Sequence, residues 1–91
     1  MEEKIKILLK KEYELLMKER EEKKDYILSL QDFFFCDDEL YNLLNKNKND
    51  FISKMIECSF EIEYCSIEGN EKKKIELAEL MMKEIAEYLK N

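Results

Sequence analysis

The stretch that decides the fold is Glu68–Lys90, EGNEKKKIELAELMMKEIAEYLK. Gly69 is the only glycine of the chain and suits the left-handed C′ position that ends a helix. Asn70 suits the cap that begins the next helix. The sequence therefore predicts a tight reversal between two antiparallel helices, the second of which runs over about Glu71–Lys90.

The predicted last helix carries a wide apolar face. Its central seam has the 3–4 residue spacing of one side of a helix and consists of Ile75, Ala78, Met82, Ile85 and Leu89. A helix with such a face either contacts two neighbours in its own bundle or binds a second copy of the chain. The candidate oligomer face comprises Ile75, Leu77, Met81, Met82, Ile85, Tyr88 and Leu89.

The segment before the reversal is ambiguous between helix and strand. In Ser59–Glu68 (SFEIEYCSIE), apolar and acidic residues alternate as they do in a strand, and a helix would place Glu63 on the apolar side. A strand needs a partner, and no second convincing strand is present, so we predict a helix. Asp50 is its predicted cap, and its early apolar residues are Phe51, Ile52, Met55 and Ile56.

The first segment, about Glu3–Phe35, has apolar residues in a single helical phase. They are Ile5, Leu8, Leu9, Tyr13, Leu15, Leu16, Tyr26, Ile27, Leu30, Phe33 and Phe34. Between its halves, Lys18–Asp25 (KEREEKKD) places charges on the stripe. Either one long helix has a solvated middle, or two helices meet near Asp25 as an N-cap. We favour the long helix, because the phase is preserved and no Gly or Pro interrupts it.

Two further elements complete the predicted fold. Asp37 and Asp38 offer N-caps for a short helix that carries Leu40, Tyr41, Leu43 and Leu44. The polar run Asn45–Asp50 (NKNKND) then predicts a turn. We expect an all-α fold: a small antiparallel helical bundle of three to four helices that forms a single domain over residues 1–91.

Composition excludes most enzymatic and metal sites. The chain has 91 residues with no His and one Gly, so His-based triads, His metal sites and glycine-rich phosphate loops are absent. Cys36, Cys58 and Cys65 form no Cys-x-x-Cys pair, and a zinc site needs about four such ligands. Glu12 and Glu63 are the acids that fall on apolar stripes. We expect no metal, no cofactor and no enzymatic activity.

Charge and hydropathy limit the partners. The net charge is −6, from 16 basic and 22 acidic residues, which argues against direct nucleic-acid binding and against a polybasic membrane patch. No apolar run approaches the roughly 18–20 residues of a membrane-spanning helix, and no signal peptide is evident. We expect a cytoplasmic protein with reduced thiols.

The candidate partner-binding surface is an aromatic group beside an acidic patch. It comprises Phe33, Phe34, Phe35, Asp37, Asp38, Leu40 and Tyr41. Consecutive helical residues point about 100° apart, so one core can hardly accept all three phenylalanines. We expect a small acidic protein that binds another protein with a basic surface, as a regulator, inhibitor or adaptor. In one version of this hypothesis, the partner is a nucleic-acid-handling enzyme. The alternative is a homo-oligomeric scaffolding assembly, such as a homodimer.

Overall fold

A computed structural model describes residues 2–35, 42, 46 and 49–90. The helices in this part of the chain are α1 (Glu2–Glu21), α2 (Tyr26–Phe35), α3 (Asp50–Glu68) and α4 (Glu71–Lys90). The described residues contain no strand, so the prediction of a small all-α helical bundle is confirmed. The predicted caps Asp37 and Asp38 and the short helix through Leu44 lie outside the described residues, apart from Asn42, which is helical.

The helices are arranged so that α1 and α3 occupy diagonally opposite corners. The most extensive contact joins α3 to α4, and α1 packs against both α2 and α4. In turn α2 packs against α3 and α4, which makes α4 a central helix. The sides of α1 and α3 that face away from the core therefore point in opposite directions.

The core lies where the four helices meet. Its buried apolar members are Ile5, Leu9, Leu16, Ile27, Leu30, Phe34, Ile52, Met55, Ile56, Cys58, Ile62, Ala78, Met81, Met82 and Ile85. Ser59 is also fully buried, and its Oγ donates a hydrogen bond to the Met55 carbonyl oxygen at 3.0 Å. This polar group is therefore satisfied within α3.

The favoured prediction of one long helix over Glu3–Phe35 is wrong. α1 ends at Glu21, Lys23 has a φ of 60°, and the backbone N–H of Leu28 donates to Asp25 Oδ1 at 3.2 Å. Asp25 is thus the N-cap that the alternative required. An unbroken helix would be about 50 Å long, whereas the longest dimension of the bundle is 37 Å. Folding back lets the apolar residues of both halves enter one core. The free energy gained by this burial exceeds the free-energy cost of forming the corner.

The prediction of a reversal at Gly69 and Asn70 is confirmed. Gly69 has a φ of 75°, its N–H donates to the Ser66 carbonyl at 3.4 Å, and the Asn70 N–H donates to the Cys65 carbonyl at 2.9 Å. This pair of bonds is the Schellman motif. Asn70 Oδ1 accepts from the Lys73 N–H at 3.2 Å and so caps α4.

The helix before this reversal is also confirmed, with a different start. α3 continues through the ambiguous segment to Glu68. Its N-cap is Asn49 rather than the predicted Asp50, because Asn49 Oδ1 accepts from the Ile52 N–H at 2.9 Å. Asp50 is instead the first helical residue, where its negative charge suits the helix dipole. Lys46, within the stretch predicted as a turn, is helical.

Candidate functional site

The structure places part of the predicted partner-binding surface in the core. Phe34 is 1% exposed, and Phe33 is partly buried against the core. Their rings meet edge to face with centroids 5.0 Å apart. Phe34 is therefore not available to a partner, because α2 folds back onto α1 and turns this side of the helix inward. Phe35 is the last residue of α2, and the remaining members, Asp37, Asp38, Leu40 and Tyr41, lie outside the described residues.

The candidate oligomer face of α4 is used mainly within the chain itself. Met81, Met82 and Ile85 are buried, so they are not on a free surface as the prediction required. The partly buried members of the face, which pack against the core, are Leu77, Tyr88 and Leu89. Ile75 is the member that remains open, with 49% of its surface exposed. The physical reason is the position of α4, which contacts three other helices and needs apolar residues on most of its circumference.

The cysteines of the described part belong to the core. Cys58 and Cys65 are buried free thiols. Burial, followed by the carboxylate of Glu61, raises the pKa of Cys58, so this thiol stays protonated and weakly nucleophilic. No group of three or more metal-ligating side chains occurs among the described residues.

The acids on the predicted apolar stripes have different surroundings. Glu63 is exposed, and its Oε2 accepts a hydrogen bond from Gln31 Nε2 of α2 at 3.3 Å. Glu12 is half-buried, and desolvation together with the nearby Glu19 carboxylate raises its pKa. Neither acid lines the open cleft that the described residues form between α1 and α4.

An open cleft lies between α1 and α4. Its lining residues are Tyr13, Arg20, Glu79, Met82, Lys83 and Ala86. Arg20 Nη2 and Glu79 Oε1 form an ion pair of 2.7 Å across this cleft. Glu79 also bonds to the Tyr26 side chain, and burial followed by the Glu79 charge raises the pKa of that phenol. The polar groups of the cleft thus join α1, α2 and α4, which is a packing role.

The strongest candidate for a functional surface is the side of α3 that faces away from the core. We define the α3 outer face as Glu57, Phe60, Glu61, Tyr64, Ile67 and Glu68, all of which are exposed. Phe60, Tyr64 and Ile67 are 57%, 68% and 76% exposed and follow the i, i+4, i+7 spacing of one helix side. Sequence reasoning missed this face, although the spacing of its three apolar residues was a usable signal.

Contacts on both flanks of α3 fix the direction of this face. On one flank Glu63 bonds to Gln31 of α2. On the other, Lys54 Nζ and Glu84 Oε1 of α4 form an ion pair of 2.9 Å. With α2 and α4 on its two flanks and Ile62 in the core, α3 turns its apolar stripe toward solvent.

A second exposed surface lies on α1, at the opposite corner of the bundle. We define the α1 outer face as Lys4, Leu8, Lys11, Leu15 and Lys18, all of which are exposed. Leu8 and Leu15 are 36% and 49% exposed. The two surfaces have opposite charges, since lysines flank the leucines of α1 and glutamates flank the apolar stripe of α3.

Comparison of the chain with models of protein families, with curated proteins and with solved structures finds no match. None of the helices in the described part combines the length and the apolar character that crossing a bilayer requires. Function must therefore be inferred from the exposed surfaces of the molecule.

Proposed function

We propose that this protein acts by protein–protein binding, as a small acidic regulator, inhibitor or adaptor, and that the α3 outer face is its contact surface. The observation that carries the proposal is the exposure of Phe60, Tyr64 and Ile67, which lie along one side of α3 opposite the core. Two aromatic rings beside an aliphatic residue are typical anchors of protein interfaces.

The charge around this stripe indicates the chemistry of the partner. Glu57, Glu61 and Glu68 border the apolar residues and are exposed. A partner with an apolar centre and a basic rim would pair with these carboxylates, which steers association and orients the complex. The lysines of α1 lie at the far corner and do not compensate this local charge. An inhibitor that covers the basic channel of a nucleic-acid-handling enzyme is one form of this function.

Affinity capture with matched variants tests the proposal. The tagged wild-type chain, Tyr64→Ser/Ile67→Ser and the control Leu28→Ser/Ile75→Ser are each used to capture proteins from a native lysate of the source organism. The control removes two apolar residues that are 57% and 49% exposed but lie on α2 and α4. Captured proteins are quantified by mass spectrometry.

We expect the wild type and the control to capture the same protein, and the Tyr64/Ile67 variant to capture about tenfold less, as expected for the loss of two interface anchors. Circular dichroism checks that all three proteins retain equal helix content. Equal capture by the Tyr64/Ile67 variant would show that the α3 outer face is not the contact surface.

A further inference from the structure

We propose that the protein self-associates head to tail, with the α1 outer face of one copy docked on the α3 outer face of the next. This inference rests on the proposed function to the extent that the α3 outer face is a docking surface. It adds a regulatory consequence: self-association covers the surface that the partner needs, so the free concentration of the protein sets how much of that surface is available.

The α1 outer face carries lysines and leucines in a regular helical spacing. Lys4, Leu8, Lys11, Leu15 and Lys18 follow steps of four and three residues along one exposed ridge. At a rise of 1.5 Å per residue this ridge is about 21 Å long. It presents two leucines separated and flanked by three cations.

The α3 outer face matches the α1 outer face in length and has the opposite charge. From Glu57 to Glu68 its outer face is about 17 Å long, which is close to the length of the α1 ridge. Tyr64 and Ile67 are the most exposed apolar residues of the face. Its charged members are all glutamates, so each end of the stripe presents a carboxylate to an approaching lysine.

The charges of the two faces favour a head-to-tail pairing of two copies over a symmetric pairing. A symmetric pairing of two α3 outer faces would bring glutamates against glutamates, and a symmetric pairing of two α1 outer faces would bring lysines together, both of which are unfavourable. Pairing α1 with α3 instead sets the three lysines of one face against the three glutamates of the other. Exposed Glu3 and Glu14 lie beside the ridge, but between residues 3 and 18 they are outnumbered by the exposed Lys4, Lys10, Lys11 and Lys18.

The geometry of the bundle sets how many neighbours one copy can bind. Because α1 and α3 occupy diagonal corners, their outer faces point to opposite sides of one molecule. Each copy can then bind one neighbour through each face, which produces open chains or a ring rather than a closed symmetric dimer. A single-helix contact of this length falls in the small, transient class of interfaces, so we expect dissociation constants of about 0.1 mM.

Sedimentation velocity with charge-swapped variants tests the proposal. The proteins are the wild type, K4E/K11E/K18E, E57K/E61K/E68K and the sixfold variant that combines both sets, and each is examined from about 10 µM to 1 mM at low and high salt. The sixfold variant restores the wild-type net charge of −6. All six substitutions are at exposed positions, and circular dichroism checks that the helices persist.

We expect the wild type to exceed the monomer mass of 11.1 kDa as its concentration rises, and to return toward it in 0.5 M salt. Either threefold variant should remain a monomer at low salt, and the sixfold variant should associate again. A wild type that is monomeric at 1 mM, a threefold variant that associates as the wild type does, or a folded sixfold variant that stays monomeric would each overturn the inference.

The two proposals fail in distinguishable ways. If the wild type stays monomeric while capture of another protein still depends on Tyr64 and Ile67, the head-to-tail contact is refuted and the binding function stands. If the wild type self-associates through these faces while capture is the same for all variants, the proposed binding function fails and the self-association stands.

Discussion

Two tight corners in the described part of the chain each place one residue in the left-handed backbone region, but the residue differs between them. The α3–α4 corner has Gly69 at a φ of 75°, and the α1–α2 corner has Lys23 at a φ of 60°. Glycine adopts this left-handed conformation without steric cost, whereas a lysine Cβ is crowded there. The first corner is therefore favoured by its local sequence. The second closes with the same pair of backbone hydrogen bonds, from the Lys23 N–H to the Arg20 carbonyl at 3.2 Å and from the Lys24 N–H to the Glu19 carbonyl at 2.8 Å, despite the strained lysine.

The contacts around the two corners are similar except in one respect. Both following helices have a side-chain N-cap at 3.2 Å, from Asp25 to Leu28 in α2 and from Asn70 to Lys73 in α4. Near the α1–α2 corner an ion pair also joins α1 to a helix far along the chain, from Arg20 to Glu79 of α4. Local and tertiary interactions thus produce similar corners.

The largest expected effect is at the corner that the local sequence specifies. Gly69→Ala should destabilise the protein by about 1 kcal/mol, because alanine is strained at a positive φ. A Cβ at this position would meet no atom within 4 Å, so the loss is purely conformational. Urea unfolding followed by circular dichroism measures the loss of free energy. In thermal unfolding, the melting temperature should fall by about 4–8 °C. Gly69→Asn is the control and should lose less, since Asn tolerates this region. An unchanged midpoint for Gly69→Ala would contradict a strained cap.

At the α1–α2 corner the converse substitution is expected to have the opposite effect on stability. Lys23→Gly should stabilise the protein by about 0.5 kcal/mol, because relief of the strain at this positive φ exceeds the entropy that glycine adds to the unfolded chain. The matched control is Lys24→Gly at the neighbouring position, which lies outside the positive-φ region and should lose stability. Equal losses from both substitutions would show that Lys23 carries no backbone strain.

The same difference explains which parts of the fold the sequence predicts. The bounds of α4 and the reversal before it follow from Gly69, Asn70 and the helical spacing after them. The break between α1 and α2 does not, because Lys23 is not a turn-forming residue and the apolar phase continues through it. Only the closing of the bundle, which brings Leu30 and Leu16 into one core, makes the break favourable.

The candidate site was harder to predict for a related reason. Phe60, Ile62 and Tyr64 look equivalent in the sequence, yet Ile62 is fully buried while the other two are more than half exposed. Which side of α3 is covered depends on where α2 and α4 lie, and local sequence does not contain that information. The same holds for Phe33 and Phe34, whose aromatic character suits an interface and a core equally well.

Glu12, in the α1–α2 hairpin, is expected to lower the stability of the protein in a pH-dependent way. Desolvation and the charge of Glu19 raise the pKa of Glu12 above its ordinary value of 4.5. Between pH 4.5 and the raised pKa of Glu12, the folded protein therefore binds more protons than the unfolded chain. The free energy of unfolding falls as the pH rises through this window. Glu12→Gln removes the charge and should raise the melting temperature at pH 7 by about 2 °C. The gain should disappear below about pH 4, where Glu12 is protonated in both states.

A charge-matched control isolates this effect from the change in net charge. Glu14 lies two residues away on α1 and is exposed, so Glu14→Gln alters the net charge equally without relieving desolvation. Thermal unfolding of both variants and the wild type from pH 3 to pH 8 gives the comparison. If Glu12→Gln and Glu14→Gln have the same pH profile, the α1–α2 hairpin carries no desolvated acid. If the Glu12→Gln gain alone vanishes in acid, the hairpin with the strained corner also bears the electrostatic cost, and packing against α4 must compensate for both.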